Sequence, residues 1–205
     1  DTAVDIAKET ADIILLEKSL AVLKDGVYEG RRIYGKIMKY MKMALSSNFG
    51  NVFSVLVASI FLPFLPMIPI QMLIQNLVYD FTQIAIPWDN VDEEFMQKPK
   101  KWDTHSLSHF MNVLGPVSSV FDVATFAVLW FILGYHSADQ QMLFQTGWFM
   151  EGLISQTIIV HFIRTSRIPF LQSRADIRLI FSSFCGILAA VFLPFALHSI
   201  SSFHF

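Results

Sequence analysis

Three carboxylates stand in stretches of this sequence that are otherwise apolar: Asp80, Asp122 and Glu151. A charged side chain at mid-membrane costs about 2.5–3.5 kcal/mol on insertion scales, so each needs a partner or a task. Asp80 has neighbours of matching chemistry. Asn76 lies one turn before it and Gln83 one turn after, which places all three on one face of a helix. Upstream, Asn48 and Asn51 are again a turn apart, beside Ser46, Ser47 and Gly50. Two stripes of carboxylate and amide oxygens form the donor set of a hard cation, which prefers carboxylate, carbonyl and water ligands. The competing reading is amide hydrogen bonding between membrane helices, which needs no ion. Asp122 qualifies as a further ligand by burial alone. Gln83, Gln156 and Glu151 rank behind it, Glu151 because it sits only a few residues inside the end of its apolar run.

Other chemistries find no support. His105 and His109 have the i, i+4 spacing of a zinc pair but lack the glutamate of a zinc-protease helix. The single cysteine, Cys185, excludes an internal disulfide framework and multi-cysteine metal sites. His161 and Cys185 read most simply as core or interface residues. No serine has a recognisable His/Asp partner, and no glycine-rich phosphate loop is present.

The elements that must position these residues follow from composition. The 205 residues are 54% hydrophobic and only 16% charged, against roughly 25% charged in soluble domains, and the mean hydropathy is +0.50. A net charge of −2 excludes electrostatic attraction of the whole chain to nucleic acid. The composition predicts a polytopic membrane protein with the lipid bilayer as its partner. A crossing helix needs about 20 mostly apolar residues. No charge occurs between Lys42 and Asp80, and Pro63, Pro66 and Pro69 divide that stretch. Five spans are expected, over about 42–62, 70–88, 110–133, 143–163 and 179–197. The connection between the first two is short enough to predict antiparallel neighbours. Trp88, Trp102 and Trp148 fall near the inferred interfaces, as aromatic belts do.

Lysine and arginine provide an independent check. Of 15, eight precede or open the first span, three lie between the second and third, and four follow the fourth. The remaining connections carry none. Cytoplasmic loops collect these residues, so the N-terminus is expected inside and the C-terminus outside. The first forty residues are of another kind. Residues 1–11 suit a short amphipathic helix, and residues 12–16 (DIILL) read as a buried strand. Ser19 is placed to cap a helix that continues through residues 28–40 into the first span as a basic stalk, with Gly26 and Gly30 as kink points. Expected units are therefore 1–18, the end of a cytoplasmic domain; 19–41, a stalk; and 42–205, a transmembrane domain. The fold class is an all-α polytopic membrane helix bundle with a short α/β remnant of a cytoplasmic domain. Beginning at Asp1 and ending in Ser-Ser-Phe-His-Phe directly after an apolar run, the sequence reads as cut at both ends.

Four segments resemble a known family. TAVDIAKETADIILL over 2–16 is similar to the end of the phosphorylation domain of a P-type ATPase, and YEGRRIY over 28–34 to the stalk after it. SSNFGN over 46–51 resembles the fifth membrane helix and NLVYD over 76–80 the sixth. NFGNVFS over 48–54, with AIPWDNVD over 85–92, resembles the bacterial magnesium-transporting branch. The resemblance implies that the five spans are membrane helices five to nine of ten. It implies a transported cation held by Asn48, Asn51, Asn76 and Asp80. Calcium pumps have a glutamate where this chain has Asn51 and a threonine where it has Tyr79. The loss of one ligand charge suits Mg²⁺, which keeps much of its water and needs few carboxylates.

The phosphorylation loop, nucleotide domain and actuator domain of the family are not in this sequence. The resemblance thus implies a multi-pass fragment of an ATP-driven Mg²⁺ importer of the bacterial inner membrane. ATP and catalytic Mg²⁺ would be handled by the missing N-terminal part of the same pump, and this chain alone is expected to be inactive. Anionic lipids are a further expected partner at the basic stalk. Rival readings are a pump for another cation, and an ATP-independent transporter or channel subunit. The latter accounts for the carboxylates but not for residues 12–16.

Overall fold

A computed structural model describes residues 4–17 and 19–198. Thr2, Lys18 and the 201–205 end, which figure in the readings above, lie outside the described residues. After a short helix α1 (Asp5–Thr10), residues 12–16 form no strand; Ile13 and Leu16 are 77% and 80% exposed. A strand needs a neighbour to pair its backbone, and none of the described residues supplies one. This corrects the buried-strand expectation.

Ser19 does cap a helix: its Oγ accepts the Ala21 N–H at 3.2 Å. That helix, α2 (Leu20–Phe61), runs 42 residues through Gly26 and Gly30 without interruption. At 1.5 Å per residue it is a rod of about 63 Å, stalk and first expected span in one piece. Pro63 stops it, because the residue before a proline is pushed out of the helical region.

Helix α3 (Pro69–Gln83) opens with proline in its first turn, where the missing N–H costs nothing. The sequence predicts a helix over 70–88; the α-helix ends at Gln83 and a 3₁₀ turn, Ile86–Trp88, follows around Pro87. A short α4 (Glu93–Gln97) leads to α5 (Thr104–Ala127), which continues as one π turn, Val128–Ile132, and closes at Gly134 with φ +74°. Only glycine adopts that backbone without strain. Then come α6 (Gln141–Ile163) and α7 (Ile177–Leu197), the latter capped by Asp176.

Among the described residues, three helical segments are long and apolar enough to cross a membrane: α2, 104–132 and α7. Helix α3 has 15 residues, a rise of about 22 Å against a hydrocarbon core of about 30 Å. Helix α6 is long enough but carries Gln141, Gln145, Glu151 and Gln156. Both therefore fall short on one criterion.

The bundle is assembled around α5 and α6. Helix α2 lies along α5, and α6 packs against α3, α5 and α7. The α2–α5 pair is parallel and in step. Lys42 Nζ sits 5.0 Å from the Phe110 ring centroid, and twelve residues further along both helices Ser54 Oγ bonds Asp122. Small residues permit the approach: a Cβ on Gly50 would lie 2.5 Å from Ser118 Oγ. The core fills with aromatic rings, Phe126 meeting Phe144 at 5.7 Å and Trp148 at 5.0 Å.

Helices α2 and α3 are not the packed antiparallel neighbours that their short connection predicts. The connection is held on α6, where Gln145 Nε2 donates to Leu65 O at 2.8 Å, and α3 seats against α6 and α7. Gly186 makes that seat: a Cβ there would fall 2.4 Å from Thr82 Cγ2, on a β-branched side chain with little freedom to retreat. Gly186→Val should therefore destabilise the bundle by about 1–3 kcal/mol through overpacking. Thermal unfolding of the purified full-length protein in detergent would read this as a lowered midpoint, with the exposed neighbour Cys185→Ala unchanged.

Candidate functional site

Polar side chains meet where α2, α5 and α6 converge. Asp122, 7% exposed, accepts two hydrogen bonds, from Ser54 Oγ at 2.5 Å and Trp148 Nε1 at 2.8 Å. Its carboxylate thus ties three helices together. Glu151, on the next turn of α6 after Trp148, is a near neighbour of the Asp122 carboxyl, and its buried Oε2 has no hydrogen-bond partner within the chain. One turn towards the basic end, Asn51 Oδ1 accepts from Gln156 Nε2 at 2.7 Å. Asn51 Nδ2, Gln156 Oε1 and Ser47 Oγ are buried without a hydrogen-bond partner in the chain. These groups line a cleft of about 590 Å³.

Asp80 stands elsewhere. The buried face of α3 is Gln71, Gln75, Tyr79, Thr82 and Gln83, turned towards α6 and α7. Asp80 is exposed, Asn76 half-buried and Asn48 exposed. Asp80 lines a groove of about 660 Å³ between α3 and the stalk part of α2, opposite Lys36, Ile37 and Tyr40. Tyr40 precedes Asn51 by eleven residues, a rise of about 16 Å, so the two expected stripes do not face each other in this chain. Among the described residues no three His, Cys, Asp or Glu side chains converge. Of the sequence candidates, the structure brings together Asn51, Gln156, Asp122 and Glu151. It leaves Asp80, Asn76 and Asn48 on other faces, with Gln83 buried in α3. His161, by contrast, is an interface residue, its Nε2 3.0 Å from Ser183 Oγ.

A second polar centre, at the basic end of the bundle, was not legible in the sequence. Asp89 is fully buried and accepts from Lys39 Nζ at 2.9 Å, from Arg164 Nε and Nη2 at 2.9 Å each, and from the Asp176 N–H at 3.2 Å. Arg164 also donates to the carbonyls of Ser173 and Arg174. Burial alone would raise the Asp89 pKa. The bidentate Arg164 bond and the Lys39 ammonium overcome it and hold the carboxyl below the usual range. Lys39 is pulled the other way, below the ordinary lysine range, by burial that Asp89 only partly offsets. Asp92 repeats the link nearby, accepting from Thr165 Oγ1 at 2.8 Å and the Ser166 N–H at 3.2 Å. Lys36 donates to Pro87 O, and Tyr34 OH to Lys101 O at 3.0 Å. The stalk, the segment after α3 and the α6–α7 connection are thereby fastened at one level. One signal could have found this centre: Lys39, Asp89 and Arg164 all fall on the same side of the membrane in the Lys/Arg alternation.

Comparison with known proteins places this arrangement. Residues 64–204 match the family described as cation transporting ATPase, C-terminus. The chain is 53% identical over 196 residues to a "Magnesium-transporting ATPase, P-type 1" of Salmonella typhimurium, covering 96% of this chain and 22% of that protein. It is 57% identical, with the same coverage, to the protein of that name in Escherichia coli K12. A "Calcium-transporting ATPase" of Bacillus subtilis is 31% identical over 202 residues, covering 94% of this chain and 22% of that protein. The chain spans about a fifth of the length of these curated relatives. On the match across most of its helices, the chain belongs to the family of C-terminal membrane regions of cation-transporting P-type ATPases.

Proposed function

We propose that this chain is the C-terminal membrane part of an ATP-driven pump that moves Mg²⁺ into the cytoplasm across the bacterial inner membrane. The observation that carries the reading is the identity of 53–58% over nearly the whole chain to proteins named as magnesium-transporting ATPases. The intramembrane donors agree with that cargo. Neutral amides and hydroxyls outnumber carboxylates, as suits an ion that retains water and is held by few charges. Asp80 supplies the principal charge and Asn76 an oxygen from α3, while Asn51, Asn48 and Asp122 supply further oxygens from α2 and α5, two groups that this chain by itself holds apart, with Gln83, Gln156 and Glu151 behind them. The Asp80 groove faces away from α5–α7, so completing the site takes parts of the pump outside this chain, which also handle ATP and its catalytic Mg²⁺.

In this reading all five expected spans cross the bilayer, α3 with the help of its flanking turns, and the N-terminus is cytoplasmic. Residues 1–18 end a phosphorylation domain, and the basic stalk (19–41) meets anionic lipid headgroups. Cysteine labels at positions 66 and 137 of the full-length protein should react from outside intact cells, and one at position 100 only after permeabilisation. External labelling of position 100 would overturn the topology. The function is tested by expressing the full-length protein in cells lacking Mg²⁺ uptake. Growth rescue at limiting Mg²⁺ is expected, and ATP-dependent uptake in vesicles of another divalent cation, but not of Mg²⁺, would overturn the cargo.

A further inference from the structure

Among the described residues, one position other than glycine has a positive φ: Phe170, at +64°, in the connection between α6 and α7. A bulky side chain rarely enters that region. The Leu171 N–H donates to Pro169 O at 2.8 Å across it, which makes a γ-turn of the strained kind. Neighbouring bonds impose this course. The Phe170 N–H donates to Ser173 O at 3.2 Å, and Arg164, itself fixed on Asp89, donates to Ser173 O, Ser173 Oγ and Arg174 O. Glycine would take the same turn without cost. Strain that the surroundings over-determine in this way points to a task for the side chain.

The ring does not enter the core. It is 54% exposed and lies against the last turn of α6, 5.3 Å from the His161 ring and 6.5 Å, edge to face, from the Phe162 ring. The chain has thus turned back, and Phe170 stands beside residues 161 and 162, inside the segment expected to span the bilayer. Leu171 next to it is 82% exposed, and Ile168 is exposed as well. Three exposed apolar side chains within four residues mark a contact surface. Through Phe162, also exposed, this one is continuous with the apolar outside of α6. Residues 168–173 carry no charge, so the sign of a partner's charge is not what they recognise. At the other end of the same connection, Arg178 lies over the half-exposed Trp88 ring at 5.2 Å. Tryptophan with a snorkelling arginine is the pairing of a membrane–water interface.

We propose that residues 168–171 form a wedge that enters the cytoplasmic leaflet at the boundary between headgroups and acyl chains. Its partner is the lipid surface, held by apolar contact rather than by headgroup charge. Arg164 ties this connection to Asp89, and Asp89 takes Lys39 of the stalk, so the wedge fixes the level of the buried charge cluster against the membrane. The inference rests on the crossing of α6 and α7 proposed above, and not on the cargo.

The test is nitroxide labelling of the full-length protein, with its other cysteines replaced, in phosphatidylcholine nanodiscs. Labels are placed by Leu171→Cys, by Phe184→Cys at an exposed apolar position of α7, and by Lys98→Cys at an exposed position of the α4–α5 connection. Position 171 should collide with oxygen in preference to a water-soluble nickel chelate, as position 184 does, and position 98 should show the reverse. The depth read at 171 should be about 5–10 Å into the headgroup–acyl boundary, and adding phosphatidylglycerol should leave it unchanged. Phe170→Gly, which keeps the turn and removes the ring, should raise nickel access at 171 severalfold. Nickel access at 171 equal to that at 98 would place the connection in water. Access to neither reagent would mean that another part of the pump covers it. Either result overturns the proposal, as does a depth at 171 that is reached only with the anionic lipid or is untouched by Phe170→Gly. Loss of the oxygen preference at 184 as well would overturn the crossing of α7, a failure distinct from that of the wedge alone.

Discussion

Asp80→Asn, introduced into the full-length protein, is expected to abolish Mg²⁺-dependent growth rescue while expression and membrane insertion remain normal. The substitution keeps the side chain's shape and removes its charge. A structural hydrogen bond would survive it with a modest loss, since membrane hydrogen bonds average about 0.6 kcal/mol. A charge that neutralises a divalent cation in a low-dielectric site would not: every ~1.4 kcal/mol lost is tenfold in affinity. Asn51→Ala should weaken uptake less, because it removes a neutral ligand. Asp122→Asn should be intermediate, because an amide can still accept from Trp148 Nε1 and bond Ser54 Oγ while losing the charge. Wild-type uptake by a well-expressed Asp80→Asn pump would remove Asp80 from the site.

The second large effect is expected from Asp89→Ala, and it is an effect on folding. Removing the carboxylate leaves Arg164, 2% exposed, and Lys39, 8% exposed, as two buried cations without their counter-charge. Breaking a buried pair in this way costs about 3–5 kcal/mol. The full-length variant should accumulate poorly and unfold at a clearly lower temperature in detergent, and Asp89→Leu combined with Arg164→Met should recover part of the loss. The pH dependence follows from the lowered Asp89 pKa. The stabilisation from that group is complete above the unfolded carboxyl pKa of about 3.9 and disappears only as pH falls through the lower folded value. Between pH 5 and 7 the contribution of Asp89 should be flat. An unchanged midpoint for Asp89→Ala would show that the buried cluster does not hold the connections together.

What the sequence disclosed and what it hid divide along physical lines. The sequence predicts α7 over 179–197, and it lies at Ile177–Leu197; it predicts α6 over 143–163, and that helix lies at Gln141–Ile163. Charge gaps, prolines and caps are local signals, and they mark helices directly. Facing is not local. Spacing places Asn76, Asp80 and Gln83 on one stripe, yet the buried stripe of α3 runs through Gln75, Tyr79 and Thr82, one residue earlier, and of the predicted three only Gln83 is buried with it. A rotation of about 100° separates the two, and only the neighbours that α3 meets decide between them. Those neighbours are set by Gln145 on Leu65 and by Thr82 against Gly186, contacts between residues 80 and about 100 positions apart. Residues 12–16 carry a strand's composition without a strand's partner. The Asp89 centre was hidden for a related reason: three charged residues in three segments look like ordinary loop charges until the fold superimposes them.

The unbroken course of α2 has a mechanical consequence. A single hydrogen-bonded rod of 42 residues carries Tyr34 and Lys39 near its middle and Asn51 and Ser54 further along, with no hinge between them. Locked in step with α5 through Ser54 and Asp122, it behaves as one arm of a lever whose short end is inside the bundle. Helix α3 is different, because its helical ladder stops at Gln83 and a tighter turn takes over before Asp89. Any torque on the stalk is therefore delivered along the rod to the amide of Asn51 and the carboxylate of Asp122, and reaches Asp80 by a separate route, through the Lys39–Asp89 fastening and the 3₁₀ turn. Donor groups carried on two differently mounted supports can be drawn together or pulled apart without melting a single turn of helix.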